Sequence, residues 1–588
     1  MRPLIITILL LNVTARGAEL TIPTYLLPGG VWWASNSVGV VGGIPSVTTI
    51  YTNLSAIGTA ADWTNIQQAI LNCPSNQVVY LNEGAYSVPR SIGLGVAGSG
   101  GWLATPGHNG AVLRGAGIGR TTLNLTSGAG LNMNGFYESE DLTNKLYLWT
   151  SGYTQGTTNI TISTNFAGNA ATGITNGVMI ILTQENDPNL ITIYGSEPAD
   201  FGRIFLNAWG KDCNQFQVVK VISVSNGTNL AIWPGVYMTN FQSGFRPQIY
   251  WNGNSYQSEK VGLEELTVNN IELNVNGPSL EVNYTYNCWV KNVEFISPGY
   301  AAVGINRSAH VTMHGCYAHD SASGGGSTSY GGYGSLSSDC LYENNIFNRI
   351  TSPILLQAGA SGNVVAYNFA TNGIFSAETW MPTCFILHGA HPTMNLFEGN
   401  VGTSLAYDVI HGSSSHNIAF RNAVSGWQTN KIANTTPVII NASNRWESFI
   451  GNVFGKDNYH TNYEVTALTY PTNYGNVHTI YYLGFQGGNW TNYNSDTVTA
   501  TSAWRQGNWD YATDSTIWDA GGAKTLPNSL YLSAQPSWWN ASSAYPPIGS
   551  DLSPKAGTIP AEYRYLELLP AAIVTGGNII LNGYNKLQ

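Results

Sequence analysis

The stretch Asn287-Cys-Trp-Val-Lys-Asn292 places two asparagines five positions apart, and this N-x-x-x-x-N pattern returns along the chain. It recurs as Asn363-Val-Val-Ala-Tyr-Asn368, Asn395-Leu-Phe-Glu-Gly-Asn400 and Asn417-Ile-Ala-Phe-Arg-Asn422, with degenerate copies at 310–315, 339–344 and 447–452. Successive copies end 22 to 32 residues apart, so a unit of roughly 22 residues lengthens only by insertion. Such a repeat is typical of a solenoid, in which each coil buries its apolar face on its neighbours.

The composition favours an extracellular β-protein. Charged residues make up 10% of the 588 residues, well below the roughly 25% of an average globular protein. The net charge of -10, with no basic run, argues against nucleic acid and against an anionic membrane as partners. The six cysteines show no C-x-x-C pair, and three of them, Cys288, Cys316 and Cys340, fall next to ladder positions, where we expect core thiols.

Residues 1–18 predict a secretory signal peptide. One basic residue, Arg2, precedes a short apolar run, and small residues follow. The run is too short to span a membrane, and no later segment reaches that length. We therefore expect a secreted protein, extracellular or periplasmic, without membrane insertion.

The N-terminal region contains one convincing helix. Asp62-Trp-Thr-Asn-Ile-Gln-Gln-Ala-Ile-Leu-Asn begins on a residue that favours an N-cap and carries its apolar residues on one face. Two short strands, Val78-Val-Tyr-Leu and Ala85-Tyr-Ser-Val, follow it, and then Val112-Leu-Arg-Gly-Ala-Gly-Ile-Gly-Arg-Thr-Thr-Leu predicts a strand, a glycine turn and another strand.

A capping helix followed by V-V-Y-L-N-E-G-A-Y and L-R-G-A-G-I-G-R-T-T-L resembles the opening of the pectate-lyase-like right-handed β-helix proteins. The resemblance covers about 60–130 and 260–455. It implies an all-β fold, a right-handed parallel β-helix whose first coil is closed by the helix. The superfamily includes pectate, pectin and alginate lyases, polygalacturonases, and non-enzymatic adhesins and tailspikes. The calcium-binding Asp set and Arg base of pectate lyases, and the paired Asp set of polygalacturonases, have no counterpart here.

The predicted organisation comprises a signal peptide (1–18), an N-terminal segment with the capping helix and first coils (19–130), an inserted or elaborated β region (131–258), central coils (259–455), and C-terminal coils with an aromatic-rich wrapping tail (456–588). A polar link between Glu185 and Asp212 could overhang a groove. A separate carbohydrate-binding module in the tail is an alternative.

Counting 11 or 12 residues back from the ladder predicts an outward polar column. The column comprises Arg307, Gln357, His388, His411 and Asn441, and each member after Arg307 follows an apolar strand. His388-Gly389 and His411-Gly412 should be direct neighbours, and adjacent imidazoles lower each other's pKa, which favours a neutral general base. Asp408 could orient one of them.

Three interpretations of the histidine pair stay open: stacked structural side chains, a catalytic or substrate-contacting role, and a metal site. His391 and His416 are further candidates for substrate contact. Five aromatic residues in predicted inter-coil loops also suit a sugar face: Tyr300, Tyr330, Tyr333, Trp380 and Trp427. A second polar patch, His314, His319 and Asp320, precedes a Gly/Ser loop predicted over 321–335.

The sequence thus predicts a polysaccharide-active protein, with a lyase acting on an acidic polysaccharide preferred. His388 or His411 would be the base and Arg307 the partner of the substrate carboxylate. A glycoside hydrolase would need two facing carboxylates, with Asp320 and Asp408 as candidates. The third alternative is a non-catalytic glycan-binding or cell-surface protein. No cofactor is predicted, although a structural or catalytic Ca²⁺ remains open, as does the oligomeric state.

Overall fold

The computed structural model describes ten longer segments and a few short ones. The longer segments are 19–96, 109–135, 145–165, 173–193, 210–251, 257–326, 328–467, 478–485, 496–519 and 523–568, and the short pieces are 168, 205–207, 253, 573–575 and 578–580. The predicted signal peptide, 1–18, lies outside the described residues.

Parallel strands from successive coils stack into three sheets, which confirms the predicted right-handed parallel β-helix. Sheet 1 consists of Ile92–Gly93, Leu131–Asn134, Leu280–Asn283, Ala301–Asn306, Tyr330–Ser335, Ser352–Gln357, Phe385–His388, Leu405–Tyr407, Val438–Asn441, Thr479–Phe485 and Asn462–Thr466. The core inside the coils is built from the inward-facing apolar side chains of all three sheets.

Sheets 2 and 3 follow sheet 1 within each coil and are separated by a short turn. Sheet 2 contains Ile50–Leu54, Gln77–Leu81, Ala111–Arg114, Thr312–His314, Leu341–Glu343, Val364–Ala366, Leu396–Glu398, Ile418–Phe420 and Ser448–Ile450. Sheet 3 contains Gly84–Val88, Thr121–Leu125, Tyr317–His319, Ile346–Asn348, Phe369–Thr371, Val401–Gly402, Ala423–Val424 and Val453–Phe454. Three longer strands run through both sheets: Gly262–Asn270, Trp289–Ile296 and Trp504–Asp510.

The N-x-x-x-x-N pattern corresponds to two ladders of buried asparagines, one on each side of the sheet 2 strand. The longer ladder comprises Asn345, Asn368, Asn400, Asn422, Asn452 and Asn508. Each Nδ2 donates to the Oδ1 of the next member at 2.9 to 3.0 Å. Each Oδ1 also accepts the backbone N–H of the preceding member, for example Asn368 N to Asn400 Oδ1. The ladder therefore satisfies the polar groups that a turn buries.

The shorter ladder comprises Asn363, Asn395 and Asn417, and it ends on the carboxylate of Glu447. Two predicted members lie outside both ladders: Asn292 donates to Glu265, and Asn287 accepts from the backbone of Val41.

The register also differs by one residue at 287–292, 310–315 and 339–344, because strand pairing aligns Trp289, Thr312 and Leu341 with Val364. Asn345, not Asn344, is the ladder member, and Cys340 stands beside Asn363 in the first ladder position rather than one residue after it. The three thiols predicted in the core, Cys288, Cys316 and Cys340, are nevertheless fully buried.

Glu447 should make stability fall with pH. Burial raises its pKa from 4.5 to about 8, against the hydrogen bonds from Ser414 and Asn417 that lower it. Because the folded state holds the proton to higher pH than the unfolded state, stability is lost as pH rises from about 4.5 to about 8. We expect Glu447→Gln to remove this part of the pH dependence. Denaturation midpoints of both proteins at pH 5 and at pH 9 measure it, and a difference that stays constant would contradict the expectation.

The helix Ala61–Asn72 packs Ile66 and Ile70 into the core at the N-terminal end of the coils. Asp62 lies in its first turn and is buried. Its carboxylate accepts hydrogen bonds from the backbone N–H groups of Ile57, Gly58 and Ser87, which fixes the loop before the helix and the adjoining strand. Two further helices, Thr497–Ser502 and Pro560–Leu568, lie in the C-terminal region, and short 3₁₀ turns occur at Thr24–Leu26, Pro28–Gly30 and Ser243–Phe245.

The inserted region forms a closed six-stranded antiparallel barrel. Its strands are Leu146–Ser151, Asn159–Asn165, Met179–Gln184, Gln215–Ser225, Asn229–Trp233 and Gln248–Tyr250. The insertion starts later than predicted, since Leu131–Asn134 pairs within sheet 1. The barrel packs on the turns that join sheet 1 to sheet 2, where its apolar residues contact Tyr284, Ala309 and Ala390. The remaining two-stranded pairs are Phe205–Leu206 with Asp212–Cys213, Ser258–Glu259 with Thr285–Tyr286, Ser515–Trp518 with Trp504–Asp510, and Ile573–Thr575 with Asn578–Ile580.

The described N-terminal segment and tail cover the outer faces of sheets 2 and 3. Leu26 and Trp33 from the N-terminal segment, with Leu530 and Trp539 from the tail, pack on sheet 2. The helix Pro560–Leu568 covers part of sheet 3. No helix in the described residues is both long and apolar enough to cross a membrane.

Candidate functional site

The outer face of sheet 1 carries a polar column at the carboxyl ends of its strands. Strand pairing places the members of this column in register: Asn306, Ser335, Gln357, His388, Asp408 and Asn441. The predicted column contained Arg307 and His411 instead of Asn306 and Asp408. Arg307 is the left-handed turn residue after its strand, with φ +46°, and His411 lies three residues beyond Asp408 in a long turn.

His388 and Asp408 form a hydrogen-bonded pair. The Nδ1 atom of His388 lies 2.7 Å from Oδ2 of Asp408, and the two side chains are 14% and 15% exposed. The pair therefore lies in a recess that solvent reaches. A carboxylate accepts only, so Nδ1 carries the proton and Nε2 of a neutral His388 is left as the acceptor. An imidazole held in this tautomer is suited to act as a general base.

His411 completes the recess. Its ring lies edge-on to that of His388, with the centroids 4.7 Å apart, so the predicted proximity of the two histidines is found although their register is not. The barrel positions this turn: the backbone N–H of Ser413 donates to the Thr192 carbonyl at 2.9 Å, and Ile193 pairs with Gly412. The described part of the predicted overhanging link, up to Ile193, thus reaches the recess.

An aromatic cluster lies on the same face, toward the N-terminal coils. Tyr330 and Tyr333 stack at 5.9 Å, and both meet Tyr300 edge-on. Burial, the Tyr333 phenol and the Asp408 carboxylate raise the pKa of Tyr330 to about 12. The charge of Asp408 therefore acts on this aromatic cluster. Tyr330 and Tyr333 were predicted in a loop over 321–335, but they belong to the strand Tyr330–Ser335.

Gln357 links the aromatic cluster to the polar column. Its Nε2 donates to the Tyr333 hydroxyl at 3.0 Å, and its side chain is buried. Arg307 lies at the far end of the column, three strand spacings or about 14 Å from His388. Strand register thus sets the backbone of Arg307 three coils from that of His388, which does not support the predicted pairing of Arg307 with the sugar whose proton His388 removes.

His391 and His416, predicted to contact substrate, are buried in the turns beneath the barrel and the N-terminal segment. Nε2 of His391 and Nδ1 of His416 both bond to the Ser415 hydroxyl, at 2.7 and 2.8 Å. Burial lowers their pKa values, to about 3 and about 4. Both are consequently neutral packing residues.

The two remaining residues predicted to contact substrate, Asn441 and Trp380, lie at opposite ends of the sheet 1 strands. Asn441 belongs to the polar column next to Asp408, but its side chain is buried. Trp380 lies in the loop before Phe385–His388, at the opposite end of the strand from His388, where it pairs with Ala433 of the next coil. Trp380 therefore borders the face rather than the recess.

Comparison with solved structures finds proteins of similar architecture at low identity. No protein-family profile and no curated protein matches the sequence. The Gp54 tailspike of the Acinetobacter baumannii bacteriophage AP22, in complex with A. baumannii capsular saccharide, is 11% identical with TM-score 0.46, over 77% of this chain and 64% of the tailspike. The tailspike gp49 of Pseudomonas phage LKA1 is 13% identical with TM-score 0.40, over 69% and 61%.

A third similar structure is a mannuronic acid specific polysaccharide family 6 lyase from human gut microbiota. It is 10% identical with TM-score 0.33, over 78% of this chain and 90% of the lyase. The chain spans less than two thirds of the length of either tailspike. The fold is a right-handed parallel β-helix.

On this β-helix a second histidine cluster lies away from sheet 1, on sheet 3. His319 is buried between Asp320, at 2.8 Å from Nδ1, and Glu294, at 3.3 Å from Nε2. Arg349 binds the other oxygen of Asp320 at 2.7 Å. Asp320 therefore belongs to this ion-paired cluster and does not face Asp408. The third member of the predicted patch, His314, lies on sheet 2 and bonds to Glu343 at 2.9 Å.

The His319 cluster should stabilise the β-helix below neutral pH. Burial disfavours the imidazolium, but hydrogen bonds to Asp320 and Glu294 outweigh it and raise the His319 pKa from 6.5 to about 9. This stabilisation is fully present below pH 6.5 and is lost as pH rises through about 9. His319→Gln should therefore be destabilising at pH 6 and much less so at pH 10. Denaturation midpoints at the two pH values test this, and an equal loss at both would refute it.

The described residues of the β-helix contain no group of three or more His, Cys, Asp or Glu side chains arranged to hold a metal ion.

Proposed function

We propose that the protein binds a polysaccharide along the outer face of sheet 1 and cleaves it by base-catalysed elimination at His388. The observation that carries the proposal is the His388–Asp408 pair, with Nδ1 fixed by a carboxylate at 2.7 Å in a partly exposed recess. An acidic polysaccharide fits this chemistry, because the carboxylate of a uronate acidifies the neighbouring C–H bond.

The reaction needs a base and a path for the departing oxygen. The Nε2 atom of His388 would take the proton on the carbon next to the substrate carboxylate. The C–O bond to the next sugar then breaks, a C=C bond forms, and the departing oxygen takes up a proton. Asp408 would hold the tautomer of His388 and stabilise the imidazolium that forms. His411, 4.7 Å away, is the neighbouring group that could exchange a proton with it.

The rest of the face would bind the flanking sugars. Successive strands repeat every 4.8 Å or so, so a chain lying along the polar column would pass from His388 toward the tyrosine cluster. Tyr300 is the partly exposed member of the cluster, so the apolar face of a pyranose ring would pack there, whereas Tyr330 and Tyr333 are buried and support it. Arg307, about 14 Å from His388 by strand spacing, would meet a uronate several sugars away from the cleaved bond.

A two-carboxylate hydrolase has less support. The polar column holds one carboxylate, Asp408, and the other predicted acid, Asp320, is engaged on sheet 3. Hydrolysis of glycosides by the usual mechanism needs two facing carboxyl groups, about 5 to 10 Å apart.

Glycan binding without cleavage is the second candidate function. It is favoured by one observation: the polar column has no Lys or Arg between Asn306 and Asn441. A lyase profits from a cation that neutralises the uronate in the transition state.

A panel of polyuronates separates these functions. Polygalacturonate, polymannuronate and polyguluronate would each be incubated with the protein, and unsaturated products and new reducing ends measured. Elimination gives both signals in equal amount, hydrolysis gives reducing ends alone, and binding gives neither but retards the protein in a gel containing the polymer. Reducing ends without unsaturated product would overturn the lyase proposal.

We also propose export to the extracellular space or the periplasm, on the strength of the predicted signal peptide at 1–18. Fractionation of producing cells, followed by N-terminal sequencing of the mature protein, would test it. A cytoplasmic protein that retains its first residues would contradict it.

A further inference from the structure

A cleft of about 380 Å³ lies on the outer face of sheet 3, away from the His388 recess. Its floor is an apolar column in which consecutive coils contribute Phe369, Val401, Ala423 and Val453. The helix Pro560–Leu568 covers one side of this column, with Tyr565 against Phe369 at 5.2 Å. Val401 and Ala423 remain partly exposed. The volume falls within the roughly 300 to 1,000 Å³ of small-molecule sites.

Two aromatic side chains border the floor. Trp427 comes from the loop after Ala423–Val424, and Tyr511, 40% exposed, follows the strand Trp504–Asp510. The ammonium of Lys456 lies over the Trp427 ring, with Nζ 5.3 Å from the ring centroid. Exposed aromatic rings beside an apolar floor provide the stacking surfaces on which the C–H face of a sugar packs.

Gln428 adds a polar group to the same wall. Its Nε2 donates to the Gly373 carbonyl at 2.9 Å, while its buried Oε1 accepts no hydrogen bond from the part of the chain that the structure describes. A buried carbonyl oxygen without a donor costs free energy. Because this oxygen is closed to solvent, Gln428 contributes by fixing the wall through its bond to Gly373 and not by contacting the ligand.

The absence of charged residues from the described lining of the cleft favours an uncharged ligand. The described lining residues include no Asp, Glu, Lys, Arg or His, whereas hydroxyl and amide groups of Thr371, Asn372 and Thr429 stand at the rim. We propose that this cleft is a second carbohydrate-binding site, and that it takes an uncharged oligosaccharide. It is independent of the proposed elimination, since it shares no residue with the His388 recess and its floor spans about 14 Å along another face.

Affinity gel electrophoresis tests the site with three neutral polymers, laminarin, dextran and galactomannan, and with polygalacturonate as the acidic comparison. We expect at least one neutral polymer to retard the protein. Trp427→Ala should weaken that binding about tenfold or more, because it removes the largest stacking surface. Tyr511→Ser provides a second variant at an exposed position, should Trp427→Ala fail to fold. Circular dichroism before each run establishes that the variant is folded.

His388→Ala distinguishes the two sites. If the cleft binds the neutral polymer, His388→Ala keeps the retardation while it removes any cleavage of polyuronates. Three results would overturn the proposal: no retardation by any of the three neutral polymers, undiminished retardation of both Trp427→Ala and Tyr511→Ser, or loss of the neutral-polymer binding in His388→Ala.

Discussion

His388→Ala is expected to lower the rate of polyuronate cleavage by about 10² to 10⁴, the usual contribution of a positioned general base. The reason is geometric: Asp408 fixes Nδ1 of His388 at 2.7 Å, which gives a neutral His388 the tautomer in which Nε2 is the basic nitrogen. The measurement is the formation of unsaturated product on the polymer that the panel identifies, with kcat and KM determined separately. The loss should fall on kcat, because the base acts in the transition state more than in binding.

Asp408→Asn is the companion variant, and Asp457→Asn is its control. The amide can no longer impose the tautomer in which Nε2 accepts, so the rate should fall and its pH profile should change. Asp457 is an exposed carboxylate that bonds to its neighbour Asn458, and its replacement removes the same charge without touching the recess. Full activity of folded His388→Ala would refute the assignment of the base. Equal losses in Asp408→Asn and Asp457→Asn would point to net charge instead.

The repeat could be predicted because the solenoid imposes its periodicity on the sequence. Ladder positions need asparagine to pair the polar groups of a buried turn, and few other residues can do so. The register was missed in the first three copies of the pattern, which end on Asn292, Gly315 and Asn344. These are the left-handed turn residues, with φ +51°, +68° and +55°, and the ladder position follows one residue later, as Asn345 shows.

The candidate site could be predicted only in part, because the turn between sheets 1 and 2 varies in length. Six residues separate Gln357 from Asn363 (363 − 357), but nine separate Asp408 from Asn417 (417 − 408). A fixed number of residues counted back from the ladder asparagine therefore selected His411 instead of Asp408. The predicted proximity of His388 and His411 is nevertheless found, because the longer turn folds His411 back onto His388.

Burial explains the other misplaced residues. His391 and His416 stand in the same turns as the candidate site, and the sequence does not show that the barrel and the N-terminal segment cover those turns. The β character of 131–258 was predicted, but the closure of six strands into a barrel depends on pairings between strands distant in sequence. The same limit applied to the sheet 3 cleft, which is lined by Trp427 and Tyr511 from segments more than 80 residues apart.

The largest expected loss of stability comes from Asn400→Ala, in the middle of the longer ladder. The Asn400 amide accepts the backbone N–H and the Nδ2 of Asn368, and it donates to the Val365 carbonyl and to Asn422 Oδ1. All of these groups are fully buried, so the variant leaves donors and acceptors unpaired on both neighbouring coils. Each orphaned group costs about 1 to 3 kcal/mol, and we expect a total loss of about 3 kcal/mol or more in the free energy of unfolding.

Asn292→Gly is the matched control, because Asn292 belongs to the repeat pattern but not to a ladder. Its side chain makes one hydrogen bond, to the partly buried Glu265 at 2.7 Å, and its φ of +51° suits glycine. This variant should lose no more than about 1 kcal/mol. Chemical denaturation of the two variants and the parent measures the difference. If Asn400→Ala costs no more than Asn292→Gly, the ladder is not what holds adjacent coils together, and packing of the apolar core carries that role alone.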